Sequence, residues 1–362
     1  MIAPAPYFRK GLTFFLILLF LLSTRLSTRL MAQTNSLPIE IRSDAVARKV
    51  TILAGGQPFT EFIYPDTLEK PTLYPIYAPD GQLITRGFPL QPRAGEPVDH
   101  PHHIGLWFNY ENVNGLDFWN NSFAIPAGKK KSYGWIRTDS ILRATGGHEK
   151  GVLQYSANWT DQQHNVLLKE LTTFTFSATG DVRIIDRVTT LIARQDISMP
   201  DVKDGLLGLR VTKELQIPSN VPGEFVDDKG IVTKVAAGNT PDINGDYLTE
   251  KGKKGDSAWG TRANWCLLFG KKGKDTLSIA IIDHPGNPGY PTYWHARGYG
   301  LFAANPLGQK VFSNGKETLN FGLKKEASVT FRYRIVIAAG DQRLSTDRIR
   351  QLAGAFGKLK WQ

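Results

Sequence analysis

One cysteine, Cys266, stands in 362 residues, which excludes any intramolecular disulfide. Within Asn-Trp-Cys-Leu-Leu-Phe it reads as a small buried apolar residue rather than a nucleophile. Beyond the first 32 residues, no apolar run approaches the roughly 20 residues that a bilayer-spanning helix requires, so no membrane span is expected there. Linkers rich in Pro, Ser or Gly are missing, as are internal repeats. Residues 33–362 therefore read as one domain with a large core. Acid is short relative to base, giving a net charge of +11. Four cations, Arg9, Lys10, Arg25 and Arg29, fall in an acid-free leader and leave +7 on the remainder. Much of the other lysine sits in runs beside Gly, at Lys129–Lys131 and Lys251–Lys254. These read as solvated loop tips, and no nucleic-acid partner is expected.

What is present begins with that leader. Arg9 and Lys10 precede an apolar run from Leu12 to Leu22 broken only by Thr13, and the small residue Ala32 follows. Basic, apolar, then small is the order of a secretory signal peptide, here residues 1–32, and it predicts a periplasmic or secreted protein. No Cys follows to carry a lipid anchor.

Strand signals dominate the rest. Leu171–Ser177 and Asp181–Ala193 are rich in Thr, Val, Ile and Phe, with a turn at Thr179-Gly180. Trp265–Phe269 and Leu277–Asp283 make a second hairpin, and Ser328–Ala338 alternates with period two. The single convincing helix runs over Thr346–Lys358, with Ser345 or Thr346 as cap and Ile349, Leu352 and Phe356 on one face. The fold class predicted is all-β and mostly antiparallel: a two-sheet β-sandwich closed by one C-terminal helix.

Five of the seven histidines lie in two strings. The first is Asp99-His100-Pro101-His102-His103, leading into Trp107 and Asn109. An extended backbone would put His100 and His102 on one face and His103 on the other. Imidazoles so placed can exchange protons, bond to sugar hydroxyls or hold a divalent metal, and no cofactor is singled out. In the second string the apolar strand Leu277–Ile282 delivers Asp283 and His284 to its rim. An irregular loop then presents Asn287, Trp294, His295, Arg297, Tyr299 and Asn305. Aromatic faces suit sugar C–H surfaces, while Asn, His and Arg suit hydroxyls and carboxylates. Asp201 and Lys203, on one face of an extended Pro200–Gly205 segment with Asp204 on the other, make either a poised acid–base pair or a surface ion pair. Arg86, Trp259 and Arg262 supply further cations and an aromatic.

The strings "PDGQLITRGFPL", "DHPHHIGLWF", "VNGLDFW", "WGTRANWC" and "DHPGNPGYPTYWHARGYGLFAANPLG" resemble the bacterial PmoA-like family from about Leu73 to Gly340. That resemblance implies an exported protein encoded near sugar-degrading genes. It does not imply methane oxidation, because the membrane subunit of that name has several transmembrane helices and none is expected here. The two-sheet pattern also resembles the supersandwich of galactose mutarotases.

Together these readings predict an exported carbohydrate-active protein, a hydrolase, lyase or epimerase acting on a small sugar or modified sugar. His100, His102, His103, His284, His295, Asp201 and Lys203 are its catalytic candidates. Trp107, Trp294 and Tyr299 would stack on the sugar, and Arg86, Arg262 and Arg297 would hold hydroxyls or a carboxylate. A non-catalytic carbohydrate-binding protein and a His-ligated metalloenzyme are the alternatives. The two His strings are expected to meet in one cleft.

Overall fold

Period-two alternation with turn chemistry at its ends folds as expected into two stacked antiparallel sheets and a C-terminal helix. The structure, a computed structural model, describes residues 1–2, 36–226 and 231–360; the expected leader, apart from Met1 and Ile2, lies outside them. Ser36–Gln362 form one compact unit.

The first eight-stranded sheet runs in the order Ile39–Asp44, Lys49–Ala54, Gln57–Ile63, Thr72–Ile76, Leu106–Tyr110, Gly205–Arg210, Leu301–Asn305, Tyr293–Ala296. The second runs Asp246–Thr249, Trp265–Lys272, Asp275–Asp283, Ser328–Gly340, Val182–Ala193, Val166–Ala178, Gly151–Thr160, Trp135–Thr145. The hairpins read from the sequence are both in this sheet; three of their four strands run past the strongest signal, and Val182–Ala193 starts one residue later than it. Among the described residues, Gly223–Val226 pairs with Val232–Val235 as a separate hairpin.

The sheets bury their facing sides against each other. Phe62 of the first sheet stacks on Tyr155 of the second at 4.5 Å, and Phe108 meets Phe331 at 5.8 Å. One polar network survives in this core because every member is satisfied. Glu170 accepts from Arg187 (2.8 Å), Tyr155 (2.7 Å) and the Trp159 indole (2.8 Å). The outer face of the second sheet is covered by the helix Thr346–Phe356. Its cap is Ser345, which accepts from the Arg348 amide at 3.2 Å. Ile349, Leu352 and Phe356 pack on Trp265, Leu267, Ile282 and Val336, the face the periodicity selected.

The outer face of the first sheet is different, and strand parity explains why. In Leu106–Tyr110, residues 106, 108 and 110 point into the sandwich, so Trp107 and Asn109 point out. In Tyr293–Ala296, Trp294 and Ala296 point in and His295 points out. In Gly205–Arg210, Leu207 and Leu209 point in, leaving Arg210 on the outer face. Trp107 can lie across this face because its cross-strand neighbour is Gly208, where an added Cβ would sit 2.4 Å from the indole.

Candidate active site

The outer face of the first sheet carries a cleft of about 300 Å³. Its floor and walls come from residues 98–103, from Lys203 and Asp204, and from His295, Arg297, Tyr299 and Leu301. Trp119, Asn120 and Ser122 close one side, and Val232 to Lys234 of the separate hairpin close another.

The first His string is a tight turn rather than an extended strand. His100 adopts φ +43°, rare for a residue with a side chain, and the His103 amide donates to the His100 carbonyl at 3.0 Å. The alternation expected for His100, His102 and His103 therefore does not occur, and all three rings face one place. His100 lies parallel between His103 (4.7 Å) and Tyr299 (4.8 Å), and His103 continues the stack onto Trp107 at 5.2 Å. His102 stands edge-on to His103 at 4.3 Å. Neither ring nitrogen of His102 has a hydrogen-bond partner among the described residues, and the ring lines the cleft.

Two buried arginines hold this turn. Arg86 donates to four backbone carbonyls, those of Pro97 (3.3 Å), Asp99 (2.7 Å), His100 (3.0 Å) and His103 (3.2 Å). Arg210 grips the Asp99 carboxylate with one nitrogen at 2.7 and 2.9 Å, while Asp99 also bonds the His100 ring at 2.6 Å. Burial alone would raise the Asp99 carboxyl. Arg210, the His100 hydrogen bond and Arg86 outweigh it and hold Asp99 well below the usual carboxylate range.

Opposite the turn, Asp204 and His295 approach to 3.3 Å (Oδ1 to Nδ1). The Arg297 side chain donates to His295 Nε2 at 3.3 Å, which leaves the imidazole proton on Nδ1, close to Asp204 but without a hydrogen bond among the described residues. Burial pushes Asp204 up to about 6 against the lowering charge of Lys203, whose ammonium is 3.5 Å away. His100 is brought down to about 4, by burial first and by Arg210 and Arg86, with Asp99 opposing. His102, His103 and His295 are held well below the ordinary imidazole range, by burial first and by neighbouring charges.

These shifts predict an acid-sensitive fold. The unfolded chain binds protons at all four imidazoles near pH 6.5, while the folded chain keeps them neutral. Asp204 and Asp283, raised by burial to about 6 and about 7, act in the opposite sense, because folded carboxyls protonate first. Four protons less two leave the unfolded state about two protons richer near pH 5. Stability should then fall by roughly 3 kcal/mol per unit as pH drops from about 6 toward 4. Denaturant unfolding at pH 7 and pH 5 measures this; equal midpoints would contradict it.

Seven of the predicted residues meet here: His100, His102, His103, Lys203, His295, Arg297 and Tyr299. The others do not reach the cleft, each for a visible reason. His284 is at the far end of its strand, accepting the Gly286 amide at 3.0 Å and standing edge-on to Phe356 of the helix. The two histidines of the second string are thus separated. Trp294 points into the sandwich, its indole donating to the Ala263 carbonyl. Trp107 lies behind His103 rather than on the wall. Asn109 is fully buried and donates to the Phe118 carbonyl. Asn287 ties Asp283 to the Arg332 backbone, and Asn305 donates to the carbonyls of Val202 and Lys203. Arg262 binds Glu317 and the carbonyls of residues 289–291. Asp201 accepts from the amides of Lys310 and Leu319. Trp259 lies beneath the Arg297 guanidinium at 5.0 Å, one layer below the cleft, and Arg86 serves the turn rather than a ligand.

The sequence reading missed Asp99, Arg210 and Asp204 as site residues. Arg210 had a signal, being the lone charge in the otherwise apolar strand Gly-Leu-Leu-Gly-Leu-Arg. Among the described residues no group of three His, Cys, Asp or Glu side chains is arranged to hold a metal ion. No helix there is long and apolar enough to cross a membrane.

A family model matches residues 49–354, and its description is a family of unknown function, DUF6807. This corrects the PmoA-like assignment drawn from the His strings: the family that matches across them is DUF6807. No curated protein matches the chain. Solved structures similar to it include a galactose mutarotase-like protein from Clostridium acetobutylicum, at 9% identity, 85% of this chain, 99% of that one and a TM-score of 0.40. Galactose 1-epimerase from Lactobacillus acidophilus is similar at 8% identity, with 85% and 100% coverage and a TM-score of 0.33. The galactosidase domain of an alpha-galactosidase–sucrose kinase is similar at 8% identity over 83% of this chain, with a TM-score of 0.36; the chain spans 42% of that protein's length.

Proposed function

The chain belongs to the DUF6807 family, and we propose that its cleft binds a sugar or modified sugar and moves protons on it, as a hydrolase, lyase or epimerase. The observation that carries this reading is a pair of groups in one cleft whose proton affinities burial shifts in opposite directions, the Asp204 carboxyl up and the His102 imidazole down. Asp204 titrates near 6, so it can hold a proton to give. His102 is neutral with both ring nitrogens unpartnered, so it can take one. In this reading His102 removes a proton from a sugar hydroxyl or carbon, and Asp204 delivers one to the ring or leaving oxygen. His295 lies between Asp204 and Arg297, its Nδ1 3.3 Å from the acid. His100 and Tyr299, stacked face to face, form a rigid part of the cleft wall. The basic, apolar, small order of residues 1–32 supports export, so the sugar would be met in the periplasm or outside the cell.

The test is turnover by the purified protein across free hexoses, glycosides, keto-sugars and uronic acids, read as anomerisation, new reducing ends or unsaturated product. With Asp204 as the acid, kcat/KM should fall as pH rises through about 6, where its carboxyl loses the proton. A rate independent of pH across that range would remove Asp204 from the mechanism. Saturable binding with no turnover on any substrate would make the cleft a non-catalytic sugar site.

A further inference from the structure

Lys70 takes no part in the chemistry above, yet its position is costly. It is 2% exposed, and its ammonium makes one long hydrogen bond, 3.5 Å to the Trp119 carbonyl, while lying 5.7 Å from the centre of a Trp107 ring. Among the described residues no carboxylate pairs with it. The two acids whose charge it feels are engaged elsewhere: Glu69 accepts from Lys130 at 3.2 Å, and Asp117 accepts from the Asn120 amide and side chain at 2.8 and 2.9 Å. Burial lowers Lys70 to about 8, which still leaves it charged at neutral pH. An unpaired buried ammonium costs several kcal/mol, and proteins keep such groups where something else completes them.

Lys70 bounds a chamber of about 190 Å³ together with Glu69, Phe88, Leu90, Ile104 and Phe123, and the Glu69 carboxylate there is paired with Lys130 at 3.2 Å. The chamber is not isolated: Pro101 and His102 line both it and the main cleft. Beneath the shared wall, Arg86 and Arg210 converge on the single carboxylate of Asp99, which leaves that layer with excess positive charge. Charge and shape thus agree along one line, from the cleft past His102 to an ammonium lacking a counter-ion.

We propose that this chamber receives a carboxylate carried by the ligand, with Lys70 as its ion-pair partner and the sugar body in the main cleft. The inference rests on the reading of the main cleft as a sugar site and narrows it to acidic sugars. A carboxylate carries one charge to match one ammonium; a phosphate dianion would leave its second charge among Phe88, Leu90, Ile104 and Phe123. A sulfate monoester has the same charge in a larger tetrahedral group, and the test separates the two.

The test is calorimetric titration of the full chain with hexoses, hexuronates and hexose sulfates, comparing wild type, Lys70→Met and Lys70→Arg. A hexuronate should bind wild type at least about 30-fold more tightly than its neutral parent, the size of one desolvated ion pair of about 2 kcal/mol. Lys70→Met should erase that preference and leave the neutral sugar's affinity unchanged, and Lys70→Arg should keep part of it. Without ligand, Lys70→Met should melt no lower than wild type, because it removes an unpaired charge; a purely structural lysine would show a lower Tm. Equal binding of acid and neutral sugar, or a preference that survives Lys70→Met, overturns the inference and leaves the cleft reading intact. Tighter binding of the sulfate than of the uronate overturns the carboxylate assignment. No binding of any sugar overturns both readings.

Discussion

Asp99→Asn is expected to destabilise the protein by about 3–5 kcal/mol, the cost typical of breaking a buried ion pair from one side. The substitution preserves the shape of the side chain and removes only its charge. Arg210, fully buried, then loses its carboxylate, and Arg86, 1% exposed, loses the negative charge that offsets its own. His100 also loses the acceptor charge at 2.6 Å that offsets its strained backbone. For a domain of this size the loss corresponds to roughly 4–7 °C in Tm. Urea unfolding of the variant measures it, and a change below about 1 kcal/mol would mean that the arginines do not depend on Asp99. Surface pairs such as Lys324 with Asp196 serve as the control, since exposed pairs are worth about 0–1 kcal/mol.

His102→Ala is expected to lower turnover by roughly 10²–10⁴-fold while leaving stability nearly unchanged, as removal of a general base does. The contrast with His103 gives the prediction its edge. His103 is packed against Trp107, and its Nδ1 is 3.3 Å from Arg210, so His103→Ala should cost stability as well as rate. His102 stands edge-on to His100 and His103 and makes no hydrogen bond among the described residues. Undiminished turnover in His102→Ala, or a melting temperature that falls as far as that of His103→Ala, would return His102 to a packing role.

The fold was legible because each level of signal agreed. Period-two runs such as Ser328–Ala338 became long strands, and the 3.6-period face of Ile349, Leu352 and Phe356 became the buried side of a helix. The candidate site was legible by composition but not by parity. Tyr-Trp-His-Ala is a four-residue strand, so Trp294 and His295 had to point opposite ways, and only one could reach a cleft. The turn at His100 could not be read from alternation, because its conformation is imposed by Arg86 and Arg210 from strands and loops far along the chain. Lys70 gave no local signal at all: a lysine between Glu69 and Pro71 reads as a solvated loop residue until the fold encloses it.

A sugar bound as proposed would meet His102 and His295 in this cleft. Nitrogen-detected NMR of the seven histidine rings during titration with a turned-over sugar tests it most directly. The exposed His148 and His164 act as internal references, and His284, packed against Phe356, as a buried one outside the cleft. Saturable shifts are expected at His102 and His295, with smaller ones at His100 and His103, and none at the three references. Shifts confined to His148 and His164, or centred on His284, would contradict it.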